Sequence, residues 1–414
     1  MMQGVLSGLR VLDFGRYIAG PYCAALLADL GAEVIRIERP GGNDDRFVMP
    51  VTDTGEGALY IQMNRNKKSL ALDITAPDAR DAVQRLVRSA DVIVVNLPPK
   101  ARARLGLDYE TVSALKPDIV LTTITAYGTR GQDADSIGFD GTGQALSGAI
   151  YLTGVEGQPF RSAVSYVDYG TGMASAFGTL AALMRRAKTG KGEHVETSLL
   201  NTALTMTNPM LIEEACGARS RKPTGNRTPI AAPSDVFRTK DGWLLAQVIG
   251  QDMFERWIGL VGADDLRGDL RFADDISRGE NGALLSERMN AWTMRYTTEE
   301  CLERLKGARV PGCRILSPGE ALRHPQTVDG KFFDWISYPG LGDQVPLLGA
   351  LFRFAGAEDA APRPAPQLGA ETRPLLEELG YSAAEIDRMV QAGLAASGPA
   401  ETTAAIERTN RRNA

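Results

Sequence analysis

The stretch that decides the fold is residues 9–37, which read LRVLDFGRYIAGPYCAALLADLGAEVIRI. Residues 9–14 form a short apolar run typical of a buried strand. Pro21 opens an apolar helical pattern that stops at Gly31, and a second β-branched strand follows at residues 33–37. A strand, a helix and a strand in such quick succession predict a βαβ unit, and therefore a parallel sheet.

The same alternation continues along the next hundred residues. Further strands are predicted at residues 69–72, 92–95 and 119–124, with helical patterns between them. The predicted fold class is therefore α/β, with a Rossmann-like doubly wound parallel sheet in a large domain. In such sheets ligands bind beyond the carboxyl ends of the strands, so we expect the residues that follow each strand to face one crevice.

The domain organisation follows from a change in composition. Residues 219–233 are basic and contain three prolines, which indicates a linker between a large domain at 1–222 and a smaller α/β domain at 223–328. Residues 329–394 are predicted to return to the large domain and complete it. Residues 395–414 are small and polar, and we expect them to be disordered.

Composition excludes several classes of function. The 46 basic and 51 acidic side chains give a net charge of -5, whereas nucleic-acid binding usually needs a basic surface. Only two histidines are present, too few for a zinc site with several histidine ligands. No apolar run is long enough to span a membrane and the first residues lack a secretory pattern, so a cytoplasmic protein is expected.

Phosphate motifs of the common kinds are absent, but basic residues follow several predicted elements. Gly190-Lys191 lacks the spacing of a P-loop, and the turn after the first strand lacks a dinucleotide fingerprint. Arg39, Lys67-Lys68 and Arg104 each stand at or just past an element that should point into the crevice. Each is compatible with a solvated surface charge, but their joint placement favours a ligand that carries several phosphates.

Asp168 is the best candidate nucleophile. It lies in the segment SYVDYGTG at residues 165–172, where it is predicted to precede a helix. Free N–H groups and the helix dipole would hold its carboxylate ionised, the glycines would let a thioester approach, and the same N–H groups could bind an oxyanion. From these residues alone, a plain helix N-cap is the better explanation of Asp168.

The chain resembles the class III CoA-transferases, also called the CaiB/BaiF family, from residue 6 to about residue 393. The motifs that carry the resemblance are Leu12-Asp13-Phe14 with Gly20-Pro21, residues 30–38 and 64–69, Ala90-Asp91-Val92, Tyr127-Gly128, Gly225-Asn226, residues 239–242, Val310-Pro311-Gly312, His324-Pro325-Gln326 and Leu379-Gly380-Tyr381. The resemblance implies an interlocked homodimer of two ring-like chains. The CoA site would lie between the large domain of one chain and the small domain of the other.

The resemblance also implies an activity, which is transfer of CoA from an acyl-CoA thioester to a carboxylic acid. Asp168 would form an aspartyl anhydride and then an aspartyl-CoA thioester, and CoA would be a substrate, with no permanently bound cofactor and no metal. Positions that match CoA contacts of the family are Tyr17, Ala19, Arg39, Leu72, Asn96, Leu97, Arg104 and Tyr127. Thr75 and Thr125 replace lysines of some members, so part of the phosphate clamp is expected to differ.

Two other functions remain open. The 2-methylacyl-CoA racemases of the same family use a histidine in a Gly-His-Asp motif, whereas this chain reads Gly138-Phe139-Asp140. Phenylalanine cannot carry a proton, which disfavours a two-base racemase. Asp140 is expected either to cap the following helix or to shape the site. A CoA-binding protein without catalysis is the other alternative.

The substrate pocket is predicted to differ from that of the formyl-CoA:oxalate transferases. That branch has a glutamine where this chain has Ile18, and a glycine-rich loop where this chain has Gly250 and Gln251. These two residues are predicted to form a shortened lid over Asp168. Because Ile18 is apolar, we expect a less polar substrate than oxalate, such as a four- or five-carbon dicarboxylate or a branched or hydroxy acid.

Overall fold

The computed structural model describes residues 4–352, 354–355 and 361–398, which divide into two compact units. The large unit takes in the described residues of 1–147, 163–206 and 331–414, and the small unit takes in 148–162 and 207–330. This division differs from the boundaries expected from sequence, which place 148–162 and 207–222 in the large domain. Each unit is described separately below.

Twelve strands are formed by the described residues. They are β1 (Arg10–Asp13), β2 (Glu33–Glu38), β3 (Lys68–Leu72), β4 (Val92–Val95), β5 (Val120–Thr125), β6 (Glu193–Ser198), β7 (Ser234–Arg238), β8 (Trp243–Gln247), β9 (Gly312–Arg314), β10 (Asp334–Ile336), β11 (Val345–Leu347) and β12 (Ala395–Ala396).

The same residues form seventeen α-helices and four short 3-10 helices. The α-helices are α1 (Ala19–Asp29), α2 (Ala58–Met63), α3 (Arg80–Ser89), α4 (Pro99–Leu105), α5 (Tyr109–Leu115), α6 (Asp140–Leu146), α7 (Ala149–Thr153), α8 (Tyr166–Thr189), α9 (Leu199–Ala215), α10 (Gln251–Val261), α11 (Asp275–Glu280), α12 (Gly282–Thr293), α13 (Thr298–Gly307), α14 (Pro318–Arg323), α15 (Pro325–Asp329), α16 (Thr372–Glu378) and α17 (Ala383–Gln391). The 3-10 helices are Asp44–Phe47, Pro77–Ala79, Asp264–Leu266 and Leu270–Phe272.

The large unit is built on one seven-stranded sheet in the order β12-β3-β2-β1-β4-β5-β6. Its neighbouring strands run parallel except for the pair formed by β12 and β3. The order 3-2-1-4-5-6 is that of a doubly wound fold, in which the chain changes direction across the sheet between β1 and β4. The predicted α/β fold with a Rossmann-like sheet is confirmed.

Helices cover both faces of this sheet. One core packs around α1 and α8 and includes Cys23, Leu27 and Val167. The other packs around α3, α5, α16 and α17 and includes Leu86 and Leu376. Burying one such leucine side chain stabilises the fold by about 1.5–3 kcal/mol. Burial on both faces explains why strands such as β4, which is buried at every position, are continuous apolar runs.

Two helices of the large unit begin earlier than the sequence predicts. Helix α1 begins at Ala19, two residues before Pro21, because a proline is tolerated in the first turn of a helix, where its missing N–H is not needed. Helix α8 begins at Tyr166 instead of near Tyr169. This second difference puts Asp168 inside the first turn of the helix.

The start of the segment predicted to be disordered is a strand. Ala395 pairs with Leu72 and Ala396 with Ala71, so β12 extends the edge of the sheet, and both alanines are buried. Gly369 packs directly on this strand, because a Cβ atom added to Gly369 would lie 2.4 Å from the Ala396 carbonyl oxygen. The disorder predicted from residue 395 is therefore wrong at its start, and residues 399–414 lie outside the described residues.

Two basic residues expected near phosphates belong to the structural framework. The Lys67 ammonium is fully buried and donates to Asp13 Oδ2 at 2.7 Å and to Asn64 Oδ1 at 2.9 Å. Burial lowers the pKa of Lys67 to about 8, against the opposing effect of the Asp13 carboxylate. Lys68 is paired with Glu33. The enclosed Lys67 ammonium is not available to a ligand, so the expectation is wrong for Lys67, while a phosphate contact of the partly exposed Lys68 stays a prediction.

The small unit has its own sheet and core. Strands β7, β8 and β9 form an antiparallel sheet, and helices α10 to α15 belong to the same unit. Phe237, Phe254, Trp257 and Leu285 are central to its core. Helices expected near Met253, Leu284 and Glu299 are present as α10, α12 and α13. No helix within the described ranges is long and apolar enough to cross a membrane.

Candidate active site

A loop at the end of β1 is held in an unusual conformation. The Arg16 N–H donates to Asn96 Oδ1 and the Asn96 amide donates back to the Arg16 carbonyl oxygen, both at 2.8 Å. The next residue, Tyr17, has a φ of 61°, in the left-handed region that side chains other than glycine rarely adopt. Such strain costs on the order of 1–3 kcal/mol and is concentrated at functional sites. The two hydrogen bonds to Asn96 hold the loop in this shape.

This loop borders a cavity of about 220 Å³ in the large unit. The cavity lies beyond the carboxyl ends of β1, β4 and β5, where a doubly wound sheet binds its ligand. Its lining residues are Arg16, Tyr17, Ala19, Asn96, Leu97, Pro98, Pro99, Ile124, Thr125, Ala126, Ala134, Ser136, Ile137, Gly138, Phe139, Asp168 and Leu199. Asp168 is the single carboxylate among them.

Asp168 is the third residue of α8, whose N-cap is Ser165. The prediction that Asp168 precedes the helix or caps it is therefore wrong. Its side chain is partly buried and reaches the cavity from the first turn. Asp168 lies inside the helix because α8 starts earlier than the apolar pattern suggests. The early start is possible because a side chain from α6 accepts hydrogen bonds from N–H groups of that first turn.

That side chain is Asp140. Its Oδ2 accepts hydrogen bonds from the N–H groups of Val167 at 2.8 Å and of Asp168 at 3.1 Å, while its Oδ1 accepts one from Gln144 Nε2 at 2.5 Å. Asp140 is only 6% exposed. It does not cap its own helix, since Phe139 is the N-cap of α6. The expectation that Asp140 caps the helix that follows it is wrong: it binds the start of α8 instead.

The N–H groups of the first turn of α8 are all occupied. Tyr166 N–H donates to the Val164 carbonyl and Tyr169 N–H to the Ser165 carbonyl, and Asp140 binds the two between them. None is left to stabilise the Asp168 carboxylate or an oxyanion. The expected oxyanion site at this helix is therefore absent from this turn.

The electrostatics of Asp168 also differ from expectation. Burial, followed by the charge of Asp140, raises the pKa of Asp168 to about 7. The sequence had suggested that free N–H groups would hold this carboxylate ionised. The pKa shift has the opposite sign because burial disfavours the charged carboxylate, and because the Asp140 carboxylate occupies the place where donors were expected.

The structure brings four of the predicted CoA-contacting residues together with Asp168. Tyr17, Ala19, Asn96 and Leu97 all line the cavity. Tyr127 is not among the lining residues, but its ring lies beside Gly138, where a Cβ atom would come within 3.3 Å of the ring.

The other predicted CoA contacts lie outside the cavity lining. Arg39 is 56% exposed and pairs with Asp44 at 2.6 Å, and Arg104 is exposed on α4. Leu72 is only 1% exposed and belongs to the core under α3. Because its side chain is enclosed by other apolar residues, the expectation that it flanks part of CoA is wrong for that side chain.

The predicted substrate-pocket residues are dispersed. Ile18 packs against the core around α1 and does not line the cavity. Gly250 and Gln251 belong to the small unit, where the Gly250 N–H donates to Asp275 and the Gln251 side chain accepts from Arg278. Their role as a lid over Asp168 stays a prediction.

Two of the lining residues that were not among the predicted site residues have side chains of chemical interest, Arg16 and Phe139. Arg16 is the only cationic side chain in the lining. Phe139, considered only as a replacement for histidine, lies edge-on to Tyr17 with ring centroids 5.8 Å apart. Arg16 follows the end of β1, and Phe139 directly precedes Asp140. These positions in the sequence are the signal that could have identified the two residues. The described residues include no group of three or more His, Cys, Asp or Glu side chains placed to hold a metal ion.

Comparison with known proteins supplies the family. The model of CoA-transferase family III matches residues 6–372. A succinyl-CoA–D-citramalate CoA-transferase of Chloroflexus aurantiacus is 30% identical over 382 residues, covering 90% of this chain and 94% of that protein. A succinate–glutarate CoA-transferase of Agrobacterium fabrum is also 30% identical, over 388 residues, covering 90% and 95%. The crystal structure of a CaiB/BaiF family protein from Brucella suis, 30% identical, superposes with a TM-score of 0.79 over 91% of this chain and 100% of the other.

The fold and the cavity define the class of protein: it is a doubly wound α/β protein with a single carboxylate in the cavity beyond its strand ends. The match over most of its length makes the identification specific: the chain belongs to CoA-transferase family III. It is an acyl-CoA:carboxylate CoA-transferase, acting on CoA thioesters and carboxylic acids.

Proposed function

We propose that Asp168 carries the transfer through covalent intermediates. The observation that supports this most directly is that Asp168 is the only carboxylate lining the cavity at the switch point of the sheet. The other lining side chains that can ionise are Arg16 and Tyr17, and neither forms an anhydride. Phe139 stands where the related racemases have a histidine, so the cavity offers no second base of that kind.

The proposed reaction begins and ends with the free carboxylate. An Asp168 oxygen attacks the donor thioester carbonyl, the carbon–sulfur bond breaks, and CoA leaves as a thiolate while a mixed anhydride of Asp168 and the donor acyl group remains. The thiolate attacks the aspartyl carbonyl, which releases the donor acid as a carboxylate and leaves an aspartyl-CoA thioester. The acceptor carboxylate repeats both steps in reverse, forming a second anhydride and then acyl-CoA. No proton is gained or lost overall, and no oxidant is needed.

The cavity residues also support a place for CoA. Tyr17, Ala19, Asn96 and Leu97 lie beside Asp168, so we assign them to the pantetheine end of CoA, next to the reacting thioester. Arg39 and Arg104 are exposed cations outside the cavity lining, and we assign them to the phosphates. CoA is therefore expected to extend from the cavity towards these arginines.

Short dicarboxylates are the proposed acids. The similar proteins are named for succinyl-CoA with D-citramalate, glutarate, mesaconate and L-malate. A cavity of about 220 Å³ suits the acyl group of a small acid better than a long chain. Its single cationic side chain, Arg16, offers a charge opposite to that of a second carboxylate. We infer succinyl-CoA as donor and a four- or five-carbon dicarboxylate as acceptor.

Trapping the intermediate tests the covalent mechanism. Enzyme incubated with succinyl-CoA and hydroxylamine should carry a hydroxamate on the peptide that contains Asp168, as measured by peptide mass spectrometry. Asp168→Asn should not form the adduct. Its transfer rate should fall by ~10³ or more, which is typical for removal of a nucleophile.

The matched control is Asp78→Asn, which removes an exposed carboxylate in a 3-10 helix of the large unit. It should keep both the adduct and the activity. An unmodified Asp168 peptide together with full activity in Asp168→Asn would overturn the mechanism. A panel of acceptor acids without any transfer would favour a CoA-binding protein, and exchange of the α-hydrogen in heavy water without an acceptor would favour a racemase.

The assembly is part of the same proposal. Helix α8 exposes an apolar stripe made of Met173, Phe177 and Met184, which are 41%, 76% and 67% exposed. Their spacing of four and seven residues places them on one side of the helix. Contiguous apolar surface of this kind marks a site of association, and we infer that a second copy of the chain covers it in a homodimer.

A further inference from the structure

Two carboxylates lie together at the start of α8, and the second has no part in the reaction steps proposed above. One oxygen of Asp140, on α6, accepts hydrogen bonds from the N–H groups of Val167 and Asp168, which follow it by 27 and 28 residues in the sequence. Its other oxygen is held by Gln144, which is itself 1% exposed. A buried side chain with both oxygens bound is fixed in place.

The position of Asp140 determines what surrounds the reacting group. The N-terminus of a helix normally offers several free N–H donors, which stabilise an anion. Here those donors are consumed by a neighbouring anion and by backbone carbonyls. The Asp168 carboxylate therefore sits beside a negative charge and lacks the hydrogen bonds that would offset it.

We propose that Asp140 is a positioning residue for Asp168: it fixes the first turn of α8 so that the nucleophile faces the cavity, and it keeps that nucleophile basic by placing a negative charge beside it and by occupying the helix N–H groups. The inference rests on the proposed role of Asp168 as the nucleophile. A more basic carboxylate attacks a carbonyl faster, provided that the pH is high enough to ionise it.

The other charged and titratable groups near Asp168 do not supply an alternative source of this effect. The loop after β1 contributes Arg16 and Tyr17 to the cavity, and a cation would make a carboxylate less basic, which is the opposite direction. Tyr169, the next residue on α8, is neutral at ordinary pH, since burial raises its pKa. The raised pKa of Asp168, which is attributed to burial and then to Asp140, agrees with the geometry.

The test is the pH dependence of the first half-reaction in Asp140→Asn. Asparagine keeps an oxygen that can accept the two N–H groups, but it removes the charge. The rate of Asp168 acylation by succinyl-CoA, measured in single turnovers, should fall in acid with a midpoint near pH 7 in the unaltered enzyme. In Asp140→Asn the midpoint should move down by about one pH unit, so that at pH 6 the ionised fraction of Asp168 rises from about a tenth to about a half.

Thr142→Val is the matched control. Thr142 lies on the same helix and its hydroxyl accepts from the Phe139 N–H, so this variant disturbs α6 without altering the charge next to Asp168. Its pH midpoint should stay where it is in the unaltered enzyme. A lower rate in Asp140→Asn with an unmoved midpoint would overturn the inference and reduce Asp140 to a structural anchor.

A direct titration separates this inference from the proposed mechanism. The Asp168 carboxyl can be followed by infrared difference spectra against Asp168→Asn, without substrate. A lower Asp168 pKa in Asp140→Asn supports the inference even if trapping shows no adduct on Asp168, in which case only the proposed function fails. An unchanged Asp168 pKa overturns the inference whatever the trapping result. If Asp140→Asn fails to fold, Asp140→Glu, which keeps the charge but lengthens the side chain, should retain the raised pKa while lowering the rate.

Discussion

At the scale of single residues, Asp168 and Asp13 show how neighbouring charges decide the behaviour of a carboxylate. Burial raises the pKa of both. Asp13 is completely buried, yet Lys67 and Arg36 beside it bring its pKa below the ordinary value. Asp168 has no such cation and instead has Asp140, so its pKa goes up. The first carboxylate is suited to structure, and the second is suited to attack.

The raised pKa of Asp168 predicts a pH-dependent stability. The folded protein binds the Asp168 carboxyl proton more tightly than the unfolded chain does. The stabilisation of the folded state by this protonation is therefore fully present below about pH 4 and is lost as the pH rises through about 7. Asparagine mimics the protonated form and does not titrate. Asp168→Asn should therefore be more stable than the unaltered protein at pH 8, by on the order of 2 kcal/mol after allowance for partial exposure.

Urea unfolding at pH 4, 6 and 8 measures this difference. The two proteins should be equally stable at pH 4, and the advantage of Asp168→Asn should grow between pH 4 and 8. Because all other titrating groups are shared, their contributions cancel in the comparison. A difference that stays constant across this range would show that the Asp168 carboxyl has an ordinary pKa in the folded protein.

At the scale of elements, the contact between α1 and α8 sets the distance between the cavity loop and Asp168. Gly172 is where the two helices approach: an added Cβ atom would lie 2.9 Å from the Ala19 carbonyl oxygen and 3.0 Å from the Tyr22 ring. Ala19 lines the cavity, and Asp168 lies one turn before Gly172 on α8. Any separation of the helices at this point would therefore move Ala19 and Asp168 relative to each other.

Gly172→Ala should consequently weaken both stability and activity. The overpacking is expected to cost about 1–3 kcal/mol, reduced by the better helix propensity of alanine, about 1 kcal/mol. Displacement of Asp168 should lower kcat by about tenfold or more, since rates are sensitive to small misplacements of reacting groups. Thermal unfolding and steady-state transfer assays measure the two effects.

Ala174→Ser is the control for this helix, because Ala174 is exposed on α8. It should change neither the unfolding temperature nor kcat by a measurable amount. If Gly172→Ala left both quantities at their original values, the α1–α8 contact would not be what positions Asp168.

Elements were predictable from sequence where a local pattern determines them. Strands β1 to β5 of the large sheet were predicted because burial on both faces makes each one a short apolar run, as in β4. The start of α8 was missed because the groups that satisfy its first N–H donors come from Asp140, far away in sequence. The strand β12 was missed because two alanines carry no strand pattern, and only pairing with β3 defines it.

At the scale of the whole molecule, serial motifs predicted the family and activity better than they predicted the site. Motifs spread over most of the chain identify an ancestry, and the family match confirms it. Individual contacts depend on how side chains pack, which is why Asn96 and Leu97 line the cavity with Asp168 while Leu72 is enclosed in the core. A motif fixes the position of a residue in the chain, but not the neighbours that decide its exposure or charge.

The proposed homodimer gives the last prediction. Static light scattering should find twice the chain mass of 44.5 kDa, because in the proposed dimer a second copy covers the stripe formed by Met173, Phe177 and Met184. Phe177→Asp puts a charge at the most exposed point of the stripe and should shift the population to monomer, since an unpaired charge is costly to bury at an interface. Arg80→Asp alters an exposed charge at the start of α3, on the other face of the sheet, and should leave the mass unchanged. A monomeric unaltered protein would contradict the dimer, and a Phe177→Asp dimer of undiminished strength would place its interface elsewhere.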